Sequence, residues 1–99
     1  MGDAVVVRYR TTPETAEENQ RLVEQVYAEL ASEQPDGLRY LTLRLADGVS
    51  FVHVAWREGA DVLGTLPAFQ EFQRGLGDRL VDGPDAGPAT VVGSYRVLD

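Results

Sequence analysis

Residues 38–56 read LRYLTLRLADGVSFVHVAW, and this stretch decides the fold. Apolar and polar side chains alternate on both sides of Asp47-Gly48, a dipeptide that favours a tight hairpin turn because Gly readily adopts a positive φ. The sequence therefore predicts two antiparallel strands, Leu38 to Ala46 and Val49 to Trp56. A two-residue turn sets the expected pairs: Ala46 opposite Val49, Arg44 opposite Phe51, Thr42 opposite His53 and Tyr40 opposite Ala55.

A strand and a helix precede the hairpin. Residues 4–10 are rich in β-branched side chains and predict the first strand. Thr12 is the expected N-cap of a helix with Pro13 at its first position, and this helix should run to about Glu33 because apolar residues recur at three- and four-residue spacing. The sequence Gln-Pro-Asp-Gly at positions 34–37 predicts its end.

The same alternation of elements follows the hairpin. A second amphipathic helix is expected from about Leu66 to Val81, with Phe69 and Phe72 on its core side and with Gly75 and Gly77 weakening its C-terminal half. Residues 82–88 are predicted as a loop, since they contain two Gly and two Pro, and residues 89–98 as the last strand.

The order β-α-β-β-α-β predicts an α+β fold of the ferredoxin-like type. In this fold, a four-stranded antiparallel sheet carries both helices on one face and leaves the other face uncovered. The 99 residues provide enough apolar material for one core, so a single domain spanning residues 1–99 is expected.

Composition narrows the possible functions. The net charge of −7 argues against nucleic acid as a partner, because phosphate binding needs clustered cations. Cysteine is absent, which excludes thiol chemistry, and the single His has no companion that would suggest a metal site, so no cofactor is expected. With no apolar run long enough to span a bilayer and no signal peptide, the chain is expected to stay in the cytoplasm, away from membranes.

Strand alternation predicts which side chains share a face of the sheet, and the more apolar set is the natural candidate for the helix side. In the hairpin, the predicted helix side holds Leu41, Leu43, Leu45, Val52, Val54 and Trp56. The predicted open face holds Tyr40, Thr42, Arg44, Phe51, His53 and Ala55. In the outer strands, Val5, Val7 and Tyr9 and then Val91, Gly93, Tyr95 and Val97 are expected inward, which leaves Val6, Arg8, Arg10, Thr90, Val92, Ser94 and Arg96 outward.

Such an open face is too apolar to be left to solvent, and it predicts a partner surface. The simplest partner is a second copy packed face to face about a two-fold axis, giving a homodimer with a central cavity. Arginines in that cavity would need anions, which either the other subunit or an acidic ligand could supply.

The chain resembles a known family in four segments, which are residues 5–10, the hairpin with Phe51-Val52-His53-Val54, residues 66–72 and residues 91–95. Over nearly its whole length it is similar to the dimeric α+β barrel superfamily and, within it, to the small proteins like antibiotic-biosynthesis monooxygenases. The resemblance implies cofactor-independent oxidation of polycyclic phenols by Asn, Trp, Tyr and Arg side chains. Trp56, Tyr40, Tyr9 and Arg44 match in kind, whereas the only Asn is Asn19 on the first helix. Relatives that degrade haem use a helix histidine, which the second helix lacks.

The candidate catalytic residues are His53, Arg44, Tyr40 and Trp56, and the candidate substrate-binding residues are Thr42, Phe51, Arg8 and Arg96. His53 is suited to act as general base because it titrates near neutral pH, and the alternative is a histidine that is hydrogen-bonded in a dimer interface. The aromatic residues would stack on a ligand or belong to the core, and the arginines would bind an anionic ligand or form salt bridges across the dimer. The leading hypothesis is a small monooxygenase-like protein that oxidises or binds an aromatic or acidic small molecule. The alternative is a non-enzymatic dimerisation or ligand-sensing module.

Overall fold

The structure, a computed structural model, describes residues 3–57 and 62–97. Its elements are β1 (Asp3–Thr11), α1 (Ala16–Glu33), β2 (Leu38–Arg44), β3 (Ser50–Arg57), α2 (Pro67–Arg74), α3 (Leu76–Arg79) and β4 (Leu80–Thr90). Short 3-10 turns, Pro13–Thr15 and Leu63–Thr65, precede α1 and α2. This order confirms the predicted succession of strands and helices.

The four strands form one antiparallel sheet in the order β2-β3-β1-β4. β1 and β3 are central, and the helical segments pack over one face of the sheet. The α+β, ferredoxin-like fold is therefore confirmed. Among the described residues, no helix is both long enough and apolar enough to cross a membrane.

The hairpin register is confirmed at Arg44–Phe51, Thr42–His53 and Tyr40–Ala55. Its turn differs slightly from the prediction, because the N–H of Gly48 donates to the carbonyl of Leu45 at 3.0 Å and closes a four-residue turn. Gly48 has a φ of 79°, which explains the Gly at this position.

A proline stands at the start of both helical regions, as expected, since Pro13 begins the 3-10 turn before α1 and Pro67 is the first residue of α2, but each helix is shorter than predicted. Residues 13–15 form a 3-10 turn, so α1 begins at Ala16, and it ends where Gln34 adopts a left-handed conformation and donates its N–H to the carbonyl of Leu30 at 2.8 Å. The second predicted helix is divided at Gly75 into α2 and α3. The glycines were expected to weaken the C-terminal half of this helix, and the structure shows an interruption of the helix at Gly75.

The prediction of the last strand is wrong in position. Residues 82–88, predicted as a loop, lie within β4, and residues 91–97 lie outside the sheet. β4 pairs only with β1 and occupies an edge. An edge strand tolerates Pro84 and Pro88 because the missing N–H groups need not pair with a further strand.

The face assignment of the hairpin is also wrong, whereas that of β1 is correct. Tyr9 and Val7 pack in the core as predicted. β1 pairs with β3 so that Tyr9 lies opposite Phe51 and Val7 opposite His53, which brings Phe51 and His53 to the helix side as well. The aliphatic set of the hairpin therefore lies on the open face, together with Val6 and Arg8 of β1.

The core between the sheet and the helices is largely aromatic. Phe51 is 1% exposed, and Tyr9 and Phe72 are each 3% exposed. The apolar residues that pack with them from the helices and turns are Leu22, Val23, Val26, Leu63 and Leu66. The polar side chains in this core are considered next, since a buried polar group must find partners.

Candidate functional site

A chain of hydrogen-bonded polar side chains crosses the core from β2 to α3. The hydroxyl group of Tyr40 lies 2.5 Å from Nδ1 of His53, and the hydroxyl group of Tyr9 lies 2.7 Å from Nε2. Nδ2 of Asn19 donates to the Tyr9 hydroxyl at 2.9 Å. Nε of Arg79 donates to Oδ1 of Asn19 at 3.0 Å. We call these five residues the polar chain.

Strand pairing and helix packing bring the polar chain together. Tyr40, Tyr9 and His53 come from three adjacent strands, β2, β1 and β3, and all project from the helix side. Asn19 comes from the first half of α1 and is 0% exposed, and Arg79 at the end of α3 is 4% exposed. Five separate elements, between residues 3 and 79, therefore supply one continuous network.

Aromatic rings enclose His53. The ring centroids of Tyr9 and Phe72 lie 5.3 Å and 5.5 Å from that of the imidazole, and the ring of Tyr40 lies 5.8 Å away. Thr42 adds a polar neighbour, since its Oγ1 lies 3.3 Å from Nδ1 of His53 and 2.7 Å from the hydroxyl group of Tyr27. The imidazole is thus held in an apolar cage with polar contacts at both nitrogens.

Burial shifts the titration of the polar chain towards its neutral forms. It lowers the pKa of His53 from 6.5 to about 4. Burial also raises the pKa of Tyr9 to about 12, against the opposing effects of the Asn19 hydrogen bond and the Arg79 charge. The pKa of Tyr40 is raised by burial and, to a smaller degree, by neighbouring Tyr27. At neutral pH, the chain therefore holds a neutral imidazole between two protonated phenols.

Arg79 is the buried cation of this site. Its Nη2 donates to the main-chain carbonyl of Phe72 at 2.8 Å, and its guanidinium carbon lies 5.4 Å from the centroid of the Phe72 ring. Burial lowers the pKa of Arg79, and the nearby carboxylates of Glu18 and Asp78 partly oppose this effect. An Arg side chain remains protonated under these conditions. Gly75 makes room for it, because a Cβ there would lie 3.0 Å from Nη1 of Arg79.

An open pocket of about 350 Å³ adjoins the Tyr40 end of the polar chain. It lies between the C-terminal end of α1 and the start of β2, and its lining includes Tyr27, Leu30, Leu38 and Tyr40. The rings of Tyr27 and Tyr40 are stacked, with centroids 5.2 Å apart. The pocket thus presents an aromatic wall from which Tyr40 leads directly to His53.

Four of the eight predicted site residues come together. Tyr40 and His53 belong to the polar chain, Thr42 contacts both His53 and Tyr27, and Phe51 stacks on Tyr9 with ring centroids 5.6 Å apart. They meet on the helix side of the sheet rather than on the open face, where they were predicted.

Arg44 lies on the same side but is engaged elsewhere. Its Nη1 is 2.9 Å from Oε1 of Glu17 and donates to Oε1 of Gln20 at 2.7 Å, and its Nε and Nη2 donate to the carbonyl of Gly48. These contacts hold the guanidinium at the surface, between the hairpin turn and α1. Its part in the predicted catalytic set is not supported by its position.

The other three predicted residues lie away from His53. Trp56 and Arg8 project from the open face, where Trp56 lies opposite Ala4 and Arg8 opposite Val52. Nε1 of Trp56 is buried and finds no hydrogen-bond acceptor in the described part of the chain. Arg96 lies in the segment after β4, with its guanidinium carbon 5.1 Å from the centroid of the Tyr95 ring.

Asn19 and Arg79 are the residues that sequence reasoning missed as parts of the site. Asn19 has a detectable signal, since it is the only Asn and it occupies the core stripe of a helix, three residues before Leu22. Arg79 has a weaker one, because it follows two glycines in a segment of otherwise amphipathic pattern. Within residues 3–57 and 62–97, no three His, Asp or Glu side chains converge as metal ligands.

Comparison with known proteins identifies the fold. No model of a known protein family matches the chain, and neither does any curated protein. Rv0793 from Mycobacterium tuberculosis superimposes with a TM-score of 0.73 at 20% identity, covering 93% of this chain and 96% of that one. A solved antibiotic biosynthesis monooxygenase gives a TM-score of 0.70 at 14% identity, with 93% and 100% covered. A single-residue variant of SnoaB, a cofactor-independent oxygenase from Streptomyces nogalater, gives 0.61 at 20% identity, with 96% and 97% covered.

These similarities confirm the fold that the sequence resemblance implied. The chain has the fold of Rv0793 and of the solved antibiotic biosynthesis monooxygenase. At identities of 14% to 20%, what is shared is the arrangement of strands and helices. The chemistry must be argued from the residues of the polar chain and its pocket.

Proposed function

We propose that this protein binds an aromatic, phenol-type small molecule against Tyr27 and Tyr40 and promotes its oxidation by molecular oxygen without a cofactor. The observation that carries the proposal is the hydrogen bond between Tyr40 and His53 at the edge of an aromatic pocket. A flat aromatic ligand gains contact area by stacking on the tyrosine pair. Its oxygen atom then lies within reach of a hydroxyl group that is held by the imidazole.

The reaction class fits a site that supplies hydrogen bonds rather than a redox centre. In the oxidation of anthrone to anthraquinone, the ring CH2 carbon becomes a carbonyl group, one atom of O2 enters the product and the other leaves as water. The substrate supplies all four electrons, so the protein needs only to bind it and to favour its electron-rich, deprotonated form. Hydrogen bonds to the substrate oxygen stabilise that anion.

The roles within the polar chain follow from its titration. With a pKa of about 4, His53 is neutral at pH 7 and is a weak base. It therefore serves as a hydrogen-bond partner that orients the Tyr40 hydroxyl group, and the Tyr40 hydroxyl group contacts the ligand oxygen. Oγ1 of Thr42 forms a hydrogen bond with the Tyr27 hydroxyl group and so holds Tyr27 beside Tyr40.

The test uses anthrone as the probe. Oxygen uptake and anthraquinone absorbance are measured for the unmodified protein, for Tyr40→Phe and His53→Gln, and for the control Tyr95→Phe, whose side chain is 79% exposed. We expect the first two variants to lose most of the activity and the control to retain it. Equal rates in all four proteins, or a rate no greater than that in buffer alone, would contradict the oxidation.

A second candidate is binding of the same ligand class without turnover. It is favoured by the saturation of the polar chain, in which each polar group already has a partner within the protein. Such a network is suited to holding a binding surface rigid. Calorimetric titration with anthrone separates the two cases, because saturable binding that depends on Tyr40, without oxygen uptake, identifies the binding module.

The proposed partner is a second copy of the chain, packed on the open face of the sheet. This face carries the aliphatic and indole side chains Val6, Leu41, Leu43, Val52, Val54 and Trp56. Leu43 is 46% exposed, and the others are half-buried. Because the hairpin faces are exchanged relative to the sequence prediction, this surface is more apolar than expected. Apolar side chains on three adjacent strands support packing against an equivalent surface.

A further inference from the structure

The direction of every hydrogen bond in the polar chain can be deduced from Arg79. A guanidinium group has donors and no acceptor, so the atom of Asn19 that faces Nε of Arg79 must be the amide oxygen. The other terminal atom of Asn19 is then the NH2 group, which can only donate. It faces the hydroxyl oxygen of Tyr9 at 2.9 Å, and this oxygen therefore accepts.

The Tyr9 hydroxyl group must then donate elsewhere. The available acceptor is Nε2 of His53, which lies 2.7 Å from the Tyr9 hydroxyl oxygen. A ring nitrogen that accepts a hydrogen bond carries no proton. A neutral imidazole has one N–H, so that proton must be on Nδ1. Nδ1 faces the hydroxyl oxygen of Tyr40 at 2.5 Å, with Thr42 Oγ1 at 3.3 Å. Each hydrogen bond from Arg79 to Tyr40 thus has one defined donor and one defined acceptor.

We propose that Arg79, acting through Asn19 and Tyr9, holds His53 in its Nδ1–H tautomer and so directs the imidazole proton at the oxygen of Tyr40. Arg79 and Asn19 are then positioning residues for Tyr40. The functional consequence rests on the proposed ligand site. Because the Tyr40 oxygen accepts from His53, the Tyr40 hydroxyl group does not donate to His53 and can donate to a ligand oxygen or to Thr42.

The opposite tautomer leaves a buried group unsatisfied. With a proton on Nε2, the His53 N–H and the Tyr9 O–H would both be donors at the same contact. The Tyr9 oxygen would then have to accept from His53 as well as from Asn19, and the Tyr9 hydroxyl proton would have no acceptor. An unsatisfied buried donor disfavours that arrangement by about tenfold or more. The buried positions of Tyr9 and Asn19, 3% and 0% exposed, leave little access for water to satisfy it.

The test is nitrogen NMR of the protein labelled at histidine. His53 is the only histidine, so both ring nitrogens can be assigned without ambiguity. Nε2 is recognised because it couples to both ring carbon protons, and the protonated nitrogen resonates well upfield of the unprotonated one. We expect Nδ1 to be the protonated nitrogen at neutral pH. A protonated Nε2 in the unmodified protein overturns the proposal.

The variant Asn19→Asp reverses the direction of the chain. A carboxylate accepts from both Arg79 and Tyr9, so the Tyr9 hydroxyl group turns towards it and its oxygen becomes an acceptor for His53. We expect the proton to move to Nε2 in Asn19→Asp and to stay on Nδ1 in the control Gln25→Glu, the same change at an exposed position of α1. A folded Asn19→Asp protein with the unmodified pattern overturns the role of Asn19.

A second pair of variants keeps the test decisive if Asn19→Asp does not fold. Arg79→Lys retains a donor-only side chain and should keep the proton on Nδ1, whereas Arg79→Gln allows the Asn19 amide to turn over and should give a mixture of the two tautomers. Identical patterns in both variants overturn the role of Arg79. All spectra are recorded without ligand. An absence of anthrone binding or oxidation would therefore contradict the proposed function without affecting the tautomer assignment.

Discussion

The hydroxyl oxygen of Tyr40 lies 2.5 Å from Nδ1 of His53, although the two residues belong to neighbouring strands and are 13 positions apart in sequence. Tyr40 is half-buried, and His53 is 5% exposed. The imidazole is therefore bound on both sides by phenol groups that remain protonated at neutral pH. Protonating it requires placing a charge in a cage that offers no carboxylate among its aromatic neighbours.

This burial predicts that the protein loses stability in mild acid. The pKa of His53 is about 4 in the folded state and about 6.5 when unfolded, so the unfolded chain binds the proton more tightly. The contribution of neutral His53 to the free energy of unfolding is intact above pH 6.5 and is lost progressively as pH falls towards 4. We expect the free energy of unfolding to drop by about 2 kcal/mol between pH 7 and pH 5, measured by urea denaturation.

The matched variant for this measurement is His53→Gln, which cannot titrate. Its unfolding free energy should be lower at pH 7 but nearly independent of pH between 5 and 7. The groups facing His53 in the core are Tyr9 and Tyr40, with Arg79 beyond Asn19, and none of them changes charge in this range. Parallel pH profiles for the two proteins would show that His53 is not the responsible group.

The Tyr40 hydroxyl group should stabilise the fold as well as the site. In Tyr40→Phe, the remaining polar neighbour of Nδ1 is Thr42 Oγ1 at 3.3 Å, a long hydrogen bond. We expect a loss of about 1–3 kcal/mol in the free energy of unfolding, since a buried polar group loses its partner. Tyr95→Phe, which removes the same hydroxyl group from an exposed ring, should change it by less than about 0.5 kcal/mol. Equal losses in both variants would contradict a buried hydrogen bond at Tyr40.

How far the sequence predicts this structure depends on the range of the interaction concerned. The Asp47-Gly48 turn fixes the hairpin register locally, and the pairing of Thr42 with His53 follows from it. The face of the hairpin does not follow, because it is set by the pairing of β1 with β3, which places Tyr9 opposite Phe51. Hydrophobicity also ranks His53 and Tyr40 as outward residues, whereas their hydrogen bonds to each other offset the cost of burying them.

The last strand and Arg79 show a second limit. β4 contains Pro84 and Pro88, which predict a loop wherever the position of a strand within its sheet is unknown, yet an edge position tolerates both. Arg79 would be expected at the surface from its charge alone, and its burial depends on Asn19, 60 positions earlier, supplying an acceptor. Both features rest on contacts between distant residues that a local pattern does not contain.

The position of Arg44 predicts that its removal has little effect on the site. Its ion pair joins a side chain that is 27% exposed to Glu17, which is 81% exposed, and solvent weakens such a pair. Arg44→Ala should lower the free energy of unfolding by at most about 1 kcal/mol and leave the affinity for anthrone unchanged by calorimetry. Loss of anthrone binding in a folded Arg44→Ala protein would return Arg44 to the site, as the sequence had suggested.

The open face predicts that one acidic side chain is enough to separate the proposed dimer. Leu43 lies opposite Val52 near one end of this apolar surface, and a glutamate there would have to be buried without a partner when two copies pack together. Light scattering at micromolar concentration should give the mass of two chains for the unmodified protein and of one chain for Leu43→Glu. The control Ala28→Glu places the same charge on an exposed position of α1, across the sheet from this surface, and should remain dimeric. A monomeric unmodified protein, or equal masses for the two variants, would mean that the open face is not the interface.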